Sequence, residues 1–322
     1  MEDLGKKIKA KRTIKQNTLN IYLKNINLLS KKITGEEYKN DNFLKQFEKV
    51  KKILEEKTIS TKKNYLATIL VVLMLEDDNE KIIRKYRDYL NDVSDKYYSG
   101  IKEQKKSDRQ SANWVGLKKL RDVLNTYAKR IRQEGINKPT KKVLSKKDKD
   151  LLQKYLVASL YLLDENPPRR NAYSNMRIAS ETNYNKIKSE EKNSHNWLVV
   201  KSRNRKHFIF NDYKTKQSYG TQKIRLGSKL NSVVNLFLKF HDNRPYLLYN
   251  SRGKPMTSNG LTKYLQKVFK PTGKKNISST MIRHIFVSDK FDLPKLKEQE
   301  ETAKKMGHSV KTQVETYYKH DE

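Results

Sequence analysis

The segments STMIRHIFVSDKF (279–291) and KKMGHSVKTQVETYYKH (304–320) carry the strongest signals in this chain. In the first segment, apolar residues recur at helical spacing, so we predict a helix on which Arg283 and His284 are adjacent. In the second segment, Gly307 stands where a glycine typically ends a helix. We therefore expect polar side chains to meet around two helix ends.

A tyrosine and a histidine complete this group. His308 follows the glycine directly, and Tyr317 and Tyr318 lie nine and ten residues after it. Phosphoryl transfer at a phosphodiester needs such a set, because positive donors stabilise the charge on the non-bridging oxygens while a hydroxyl attacks. The segment therefore favours phosphoryl-transfer chemistry.

The order R-H, then M-G-H-S, then a tyrosine nine residues after the histidine resembles the end of the tyrosine recombinase catalytic domain. Phage integrases, bacterial dimer-resolution recombinases and recombinases of eukaryotic viruses and mobile elements belong to this family. The resemblance implies that Tyr317 attacks DNA to form a 3′-phosphotyrosine, with Tyr318 as its rival. It also implies that Arg283 and His308 contact the phosphate. Tyrosine occurs 19 times in the chain, so the ordered set matters more than the tyrosine alone.

The resemblance extends upstream to LYLLDENPPRRNAYSNM (160–176), where the family has its first catalytic arginine. The Pro-Pro-x-Arg form is similar to that of viral and retroelement members and implies Arg170, with Arg169 as the alternative. Many members have an acidic residue three positions further on, whereas this chain has Tyr173. A basic surface turn after two prolines is the alternative explanation.

The family also has a lysine on a β-hairpin, which protonates the leaving 5′ oxygen. The run HFIFNDYKTKQSYGTQKIRL (207–226) predicts a strand, a turn and a strand in the corresponding place. Lys214 matches the Lys-Thr form of some integrases, and Lys216 is close enough to compete. In a chain so rich in lysine, either residue could also be an ordinary solvated side chain.

One position departs from the family pattern H-x-x-R-H. Thr280 stands where the first histidine belongs. Threonine can donate a hydrogen bond to phosphate but cannot act as a base near neutral pH. This leaves His308 as the main imidazole, and we expect His284 to be a packing residue rather than a phosphate ligand.

We expect a mainly helical protein with a small antiparallel β-sheet, organised in two domains. Residues 1–105 are predicted to form a helical, basic core-binding domain, and residues 106–322 the catalytic domain. The polar segment 97–113 is the candidate linker. The predicted strands are Trp197–Val200, His207–Phe210 and Ile224–Leu226. The resemblance implies that the two domains form a clamp around duplex DNA.

Composition narrows the partner and the compartment. The formal net charge of +35 indicates a polyanionic partner. DNA, RNA and anionic membrane all fit that charge, and the resemblance implies double-stranded DNA.

The absence of cysteine removes disulfides, thiolate zinc sites and cysteine nucleophiles. The start MEDLGKKIKAKR lacks the apolar core of a signal peptide, and Leu66–Leu75 is too short to span a bilayer. We expect a soluble, intracellular protein, in either the cytoplasm or the nucleus, with Leu66–Leu75 in a buried helix.

The resemblance implies neither a metal nor another cofactor, because the phosphotyrosine conserves the bond energy. It implies a homotetramer on two DNA duplexes, and a monomer or weak oligomer without DNA. Two alternatives stay open: a catalytically impaired DNA-binding protein of the same fold, which Thr280 favours, and type IB topoisomerase-like activity. A metal-dependent nuclease needs converging carboxylates, whereas most acidic residues here lie among lysines on helix faces.

Overall fold

A computed structural model of the protein describes residues 1–76, 79–163, 169 and 171–313. Within these ranges the protein is mainly helical with a small sheet, as the sequence predicts, and the sheet has four strands rather than three. None of the helices in the described ranges is both long enough and apolar enough to span a membrane.

The first compact unit, Met1–Lys106, is built from helices in its described part. They are α1 (Glu2–Lys11), α2 (Gln16–Thr34), a 3-10 helix (Asn42–Lys45), α3 (Phe47–Glu55), α4 (Ile59–Leu73) and α5 (Glu80–Lys102). The apolar run that begins at Leu66 lies in α4 and is largely buried in the core of this unit, as predicted. From α5, the Tyr86 phenol donates a hydrogen bond of 2.8 Å to the Leu44 carbonyl and ties the helices together.

The segment 97–113 is not an irregular linker, which corrects the expectation from its polar composition. Helix α5 continues through it as far as Lys102, and a short helix begins at Asp108. A helix that is already nucleated adds polar residues at little cost, so the loss of apolar periodicity does not end it. The boundary between the two compact units lies within this segment, after Lys106.

The second compact unit, Ser107–Glu322, contains the sheet. Its helices are α6 (Asp108–Asn113), α7 (Leu117–Gln133), α8 (Lys146–Leu162), α9 (Glu181–Lys186), α10 (Ser189–Ser194), α11 (Lys216–Tyr219), α12 (Ser228–Lys239), α13 (Ser258–Val268), a 3-10 helix (Lys270–Thr272), α14 (Ser279–Lys290), α15 (Leu293–Lys305) and α16 (Val310–Thr312). Its strands are β1 (Arg177–Ser180), β2 (Trp197–Ser202), β3 (Arg205–Phe210) and β4 (Gln222–Arg225). The Tyr127 phenol of α7 donates to the Val268 carbonyl of α13 at 2.5 Å, within a continuous apolar core.

The sheet has the order β1-β2-β3-β4 and is mixed rather than antiparallel. Strands β2, β3 and β4 form the predicted antiparallel meander, but β1 pairs with β2 in parallel. A parallel pair needs a long crossover connection, and α9 and α10 provide it. The sequence did not predict β1, because its residues are only partly buried and show no clear alternation.

Side chains alternate between the two faces of the sheet, as the pleat requires. One face packs on the main core of the unit through Leu198, Phe208 and Phe210. The other face forms a smaller cluster, in which Trp197 packs with the Tyr184 ring of α9. Both faces are therefore buried over part of the sheet, which holds the β3–β4 connection in place.

A buried lysine anchors the β2–β3 turn to α12. Lys206 is 1% exposed, and its ammonium group donates to the Arg203 carbonyl at 2.6 Å, to Asn231 Oδ1 at 3.1 Å and to the Asn235 side chain. Burial lowers the pKa of Lys206, and the charge of Arg203 lowers it further. The ammonium tolerates burial because several oxygens accept its N–H groups.

A buried histidine makes the stability of the second unit sensitive to pH. His241, at the end of α12, is 4% exposed and lies near the rings of Phe237 (5.2 Å) and Tyr249 (5.9 Å). Burial lowers the pKa of His241, and the charge of Arg244 lowers it further. As pH falls through the ordinary histidine pKa of about 6.5, the unfolded chain binds a proton that the folded unit resists. Stability contributed by neutral His241 is therefore present above that pH and lost below it.

We expect His241→Phe to reduce the loss of unfolding free energy between pH 7.5 and pH 5.5. The maximum difference is about 1.4 kcal/mol per pH unit. Urea unfolding followed by tryptophan fluorescence reports this unit alone, because Trp114 and Trp197 both belong to it. The exposed His284 offers a matched control, in which His284→Gln replaces a histidine away from α12. Equal pH dependence in His241→Phe and wild type would contradict the assignment.

Candidate active site

Arg169 lies against the end of the sheet, shortly before the turn at residues 171–175, which we call the arginine turn. The guanidinium group of Arg169 is half-buried and lies 3.8 Å from the centroid of the Phe210 ring at the end of β3. The Tyr213 ring lies further away, at 5.7 Å. Arg169 Nη2 also donates a hydrogen bond to Oε1 of Gln222 on β4. The planar cation is therefore fixed by an aromatic face and an amide oxygen, both of them neutral.

A second arginine lies close to the first. Burial lowers the pKa of Arg169, the Tyr173 and Tyr213 phenols raise it, and the positive charge of Arg283 on α14 lowers it by a smaller amount. Both guanidinium groups stay charged at any physiological pH. A bound anion would relieve the repulsion between the two cations.

Helix α14 presents Arg283 on its exposed side. The buried stripe of this helix consists of Met281, Ile282 and Ile285. Thr280, Arg283 and His284 are exposed and lie at the three- and four-residue spacing of one helix face. The expectation that His284 packs inside the protein is therefore wrong: the apolar stripe of α14 turns the imidazole outward, to the side of Arg283.

Hydrogen bonds tie the arginine turn to the starts of two helices. The Ser279 hydroxyl of α14 donates to Asn171 Oδ1 at 3.2 Å. The Asn171 carbonyl accepts from Ser174, through its backbone N–H at 3.0 Å and its hydroxyl at 2.6 Å. The Ser174 and Ser258 hydroxyls are 3.1 Å apart, which links the turn to α13. These contacts explain how Arg169 and Arg283 come close although 114 residues separate them in the chain.

Tyr173, three residues after Arg170 in the chain, belongs to the core. It is fully buried, and its phenol donates to the Leu160 carbonyl at 3.2 Å. Its ring meets those of Tyr161 and Phe208 edge to face, each at 5.5 Å. Burial raises the pKa of Tyr173 well above its ordinary value. Tyr173 thus packs beneath the arginine turn as part of the core.

The connection between β3 and β4 presents Lys214. The Lys214 side chain is exposed and forms no hydrogen bond or ion pair with another described residue. Lys216, its rival, is half-buried and donates to Asn193 Oδ1 at 3.1 Å. Beside Lys214, the Tyr213 phenol donates to the Gly220 carbonyl at 2.6 Å and closes the loop. Tyr213 also faces Arg169, so the loop that carries Lys214 lies next to Arg169, and Lys214, unlike Lys216, has no partner of its own among the described residues.

His308 follows a glycine helix end, as the sequence predicts. Gly307 has a φ of +74° and its N–H donates to the Lys304 carbonyl at 3.1 Å, while the His308 N–H donates to the Ala303 carbonyl at 3.1 Å. These two bonds form a Schellman motif at the end of α15. The imidazole of His308 is half-buried, with Nδ1 3.2 Å from the Ser309 carbonyl oxygen.

Positive charge also collects on the outer face of the sheet, which is the face opposite the main core. His207 pairs with Arg225 across β3 and β4, and Lys223, two residues before Arg225, lies on the same face. Burial lowers the pKa of His207, and the charges of Lys223 and Arg225 lower it further. Lys201 lies nearby and forms an ion pair of 2.9 Å with Glu181. This face suits a polyanion better than a neutral partner.

Two residues that support the site were missing from the sequence predictions. Gln222 was not singled out, because a glutamine on a short edge strand carries no chemical signal. Asn196 was not singled out either, although an asparagine directly before the buried run WLVV hints at a buried polar group. Both act through tertiary contacts, which pattern and spacing do not reveal.

Three predicted residues, Arg170, Tyr317 and Tyr318, lie outside the described residues. Among the described ones, the structure brings the Arg169 turn, the Lys214 loop and the Arg283 helix together. Comparisons with protein-family models, with curated proteins and with solved structures find no match to this chain. The contacts of these described residues are therefore the evidence from which a function can be proposed.

The paired guanidinium groups predict a binding site for a divalent anion. We expect sulfate to raise the Tm of the second unit by about 3 °C at ten times its dissociation constant, beyond the effect of chloride at equal ionic strength. Arg169→Gln and Arg283→Gln should each abolish the difference, because either change leaves a single cation. Tryptophan fluorescence during heating measures it.

The control is Arg252→Gln, which removes an exposed arginine from the turn before α13 and should leave the sulfate effect intact. A sulfate effect that survives in Arg283→Gln would show that the two arginines do not form a joint site.

Proposed function

We propose that this protein is a tyrosine recombinase, which cuts and rejoins double-stranded DNA through a 3′-phosphotyrosine at Tyr317. The observation that carries the proposal is the meeting of Arg169, the Lys214 loop and Arg283 in one place. They follow one another along the chain in the order that the resemblance implies. Arg170 stays the candidate that the Pro-Pro-x-Arg form suggests, and Arg169, whose contacts are described, stays the alternative.

The proposed cleavage step is an in-line displacement at phosphorus. The Tyr317 oxygen forms a bond to phosphorus and its proton is released to water, while the bond from phosphorus to the 5′ oxygen breaks. Lys214 gives a proton to the departing 5′ oxygen. The two arginines neutralise the non-bridging oxygens as charge develops on them, and His308 donates a hydrogen bond to the same group. In the rejoining step a 5′-hydroxyl attacks the phosphotyrosine and reverses these transfers.

Duplex DNA is the proposed partner, and the first unit is proposed to close on it as the second half of a clamp. The net charge of +35 and the cationic outer face of the sheet support a polyanionic partner. Assembly of four copies on two duplexes is part of the proposal, because strand exchange requires two cleaved duplexes side by side.

A catalytically impaired DNA-binding protein is the second candidate, and Thr280 favours it. Thr280 is exposed in the first turn of α14, one helical turn before Arg283. Its hydroxyl could donate one hydrogen bond to a phosphate there, but it cannot exchange a proton as an imidazole does. Covalent capture of DNA distinguishes the two candidates.

We expect the full-length protein to form an SDS-resistant adduct with duplexes that contain its target site. The test uses a library of nicked duplexes with a randomised segment, so that the short strand diffuses away after cleavage and traps the adduct. Sequencing of the trapped DNA identifies the site. Tyr317→Phe should form no adduct, because it lacks the attacking oxygen, whereas Tyr318→Phe should retain it.

An adduct in Tyr317→Phe but not in Tyr318→Phe would move the nucleophile to the neighbouring residue. Binding of the library without any adduct would instead support the impaired DNA-binding protein. Relaxation of supercoiled plasmid without a partner duplex would favour topoisomerase-like activity.

Lys214→Ala should slow adduct formation by about 100-fold or more, because the 5′ oxygen then leaves without a proton. A duplex with sulfur in place of the bridging 5′ oxygen should restore the rate, since a thiolate is a much weaker base and leaves unprotonated. Lys216→Ala is the matched control and should cleave both duplexes at nearly the wild-type rate. Loss and rescue in Lys216→Ala instead would reassign the proton donor.

A further inference from the structure

We propose that Asn196 is a positioning residue that sets the place of Lys214 relative to the arginine turn; the inference rests on the proposed function. Asn196 directly precedes β2 and is 6% exposed, so its carboxamide has almost no access to water. A buried carboxamide must place two N–H donors and an oxygen with two lone pairs. The partners it finds therefore show what it holds together.

All four hydrogen-bonding positions of Asn196 are occupied by backbone groups of two turns. Its Nδ2 donates to the Ala172 carbonyl and to the Asp212 carbonyl, each at 2.9 Å. Its Oδ1 accepts from the N–H groups of Asn211 and Asp212, again at 2.9 Å each. One bond reaches the arginine turn and three reach the loop that presents Lys214.

A second buried asparagine extends this connection to the other end of the same loop. Asn211 is 2% exposed, its Nδ2 donates to the Lys192 carbonyl at 2.7 Å, and its Oδ1 accepts from the Thr221 hydroxyl at 2.8 Å. Thr221 is followed by Gln222, which accepts the hydrogen bond of Arg169. The contacts thus form a closed circuit from the arginine turn, through both asparagines, and back to the arginine.

The circuit fixes the backbone from which Lys214 extends. The lysine side chain is exposed and flexible, so its distance to a scissile phosphate depends on where the loop lies. Proton donation in a transition state is sensitive to displacement, and an error of about 1 Å can cost about 100-fold in rate. Loss of Asn196 should therefore affect the lysine step more than the others, because three of its four bonds go to that loop.

Two substitutions of Asn196 remove different numbers of these hydrogen bonds. Asn196→Ala removes all four, whereas Asn196→Asp keeps the acceptor oxygen and loses the two donations. A matched control is Asn113, another buried asparagine of this unit, which donates to the Arg109 carbonyl at 2.8 Å and accepts from the Asn276 N–H at 2.9 Å. Asn113→Asp removes a comparable contact away from the two turns. Tryptophan fluorescence checks that each variant is folded.

The experiment compares adduct formation by the full-length protein on two duplexes of the selected target site, one with a bridging 5′ oxygen and one with a bridging 5′ sulfur. With oxygen, we expect Asn196→Ala to be about 100-fold slower than wild type and Asn196→Asp to be intermediate. With sulfur, both should return to within about threefold of wild type, since the thiolate needs no proton. Asn113→Asp should keep the wild-type ratio of the two rates.

Equal slowing of Asn196→Asp on both duplexes would overturn the positioning role, because a general structural defect does not distinguish the leaving groups. A wild-type rate of Asn196→Ala on the oxygen duplex would overturn it as well. If the wild-type protein forms no adduct with either duplex, the proposed function itself fails and the role of Asn196 fails with it. If the wild-type protein forms an adduct but sulfur does not restore the rates of the Asn196 variants, only the role of Asn196 is rejected.

Discussion

Buried backbone groups must find hydrogen-bond partners, and this constraint organises the second unit around Asn196. Two turns that are distant in sequence lie side by side at the end of the sheet, joined through Asn196, which is only 6% exposed. The carboxamide of Asn196 bonds to both turns at once. Because the turns are joined in this way, Arg169 can rest on the Phe210 ring while the loop beside it presents Lys214. The apolar core below, which includes Tyr173, supports this arrangement but does not specify it.

Much of the fold followed from local pattern, and the exceptions share a physical cause. Strand β3 and helix α14 were predictable because their apolar residues alternate or recur at the spacing that burial of one face requires. Strand β1 was not, since its pairing with β2 depends on a crossover through α9 and α10 rather than on its own residues. The continuation of α5 beyond residue 97 was missed for the opposite reason: helix propagation needs no apolar stripe.

The same distinction between local pattern and tertiary contact applies to the residues of the candidate site. Gly307 and Arg283 could be placed because a glycine helix end and an amphipathic helix are local features. His284 could have been placed correctly by the same periodicity, since the apolar stripe of α14 lies on the other side of the helix. The contacts of Arg169 and Asn196 could not, because their partners come from turns and strands that are distant in the sequence.

The partners of each arginine indicate which one is available to a ligand. Arg177 on β1 is paired with the carboxylate of Glu191, so its charge is already compensated within the protein. Arg169 is held instead by an aromatic face and an amide oxygen, and among the described residues its charged neighbour is Arg283. Neutral partners fix a guanidinium without neutralising it, so the pair keeps an electrostatic repulsion that a phosphate would remove. A site built in this way is less stable when empty, and this difference favours binding of an anion.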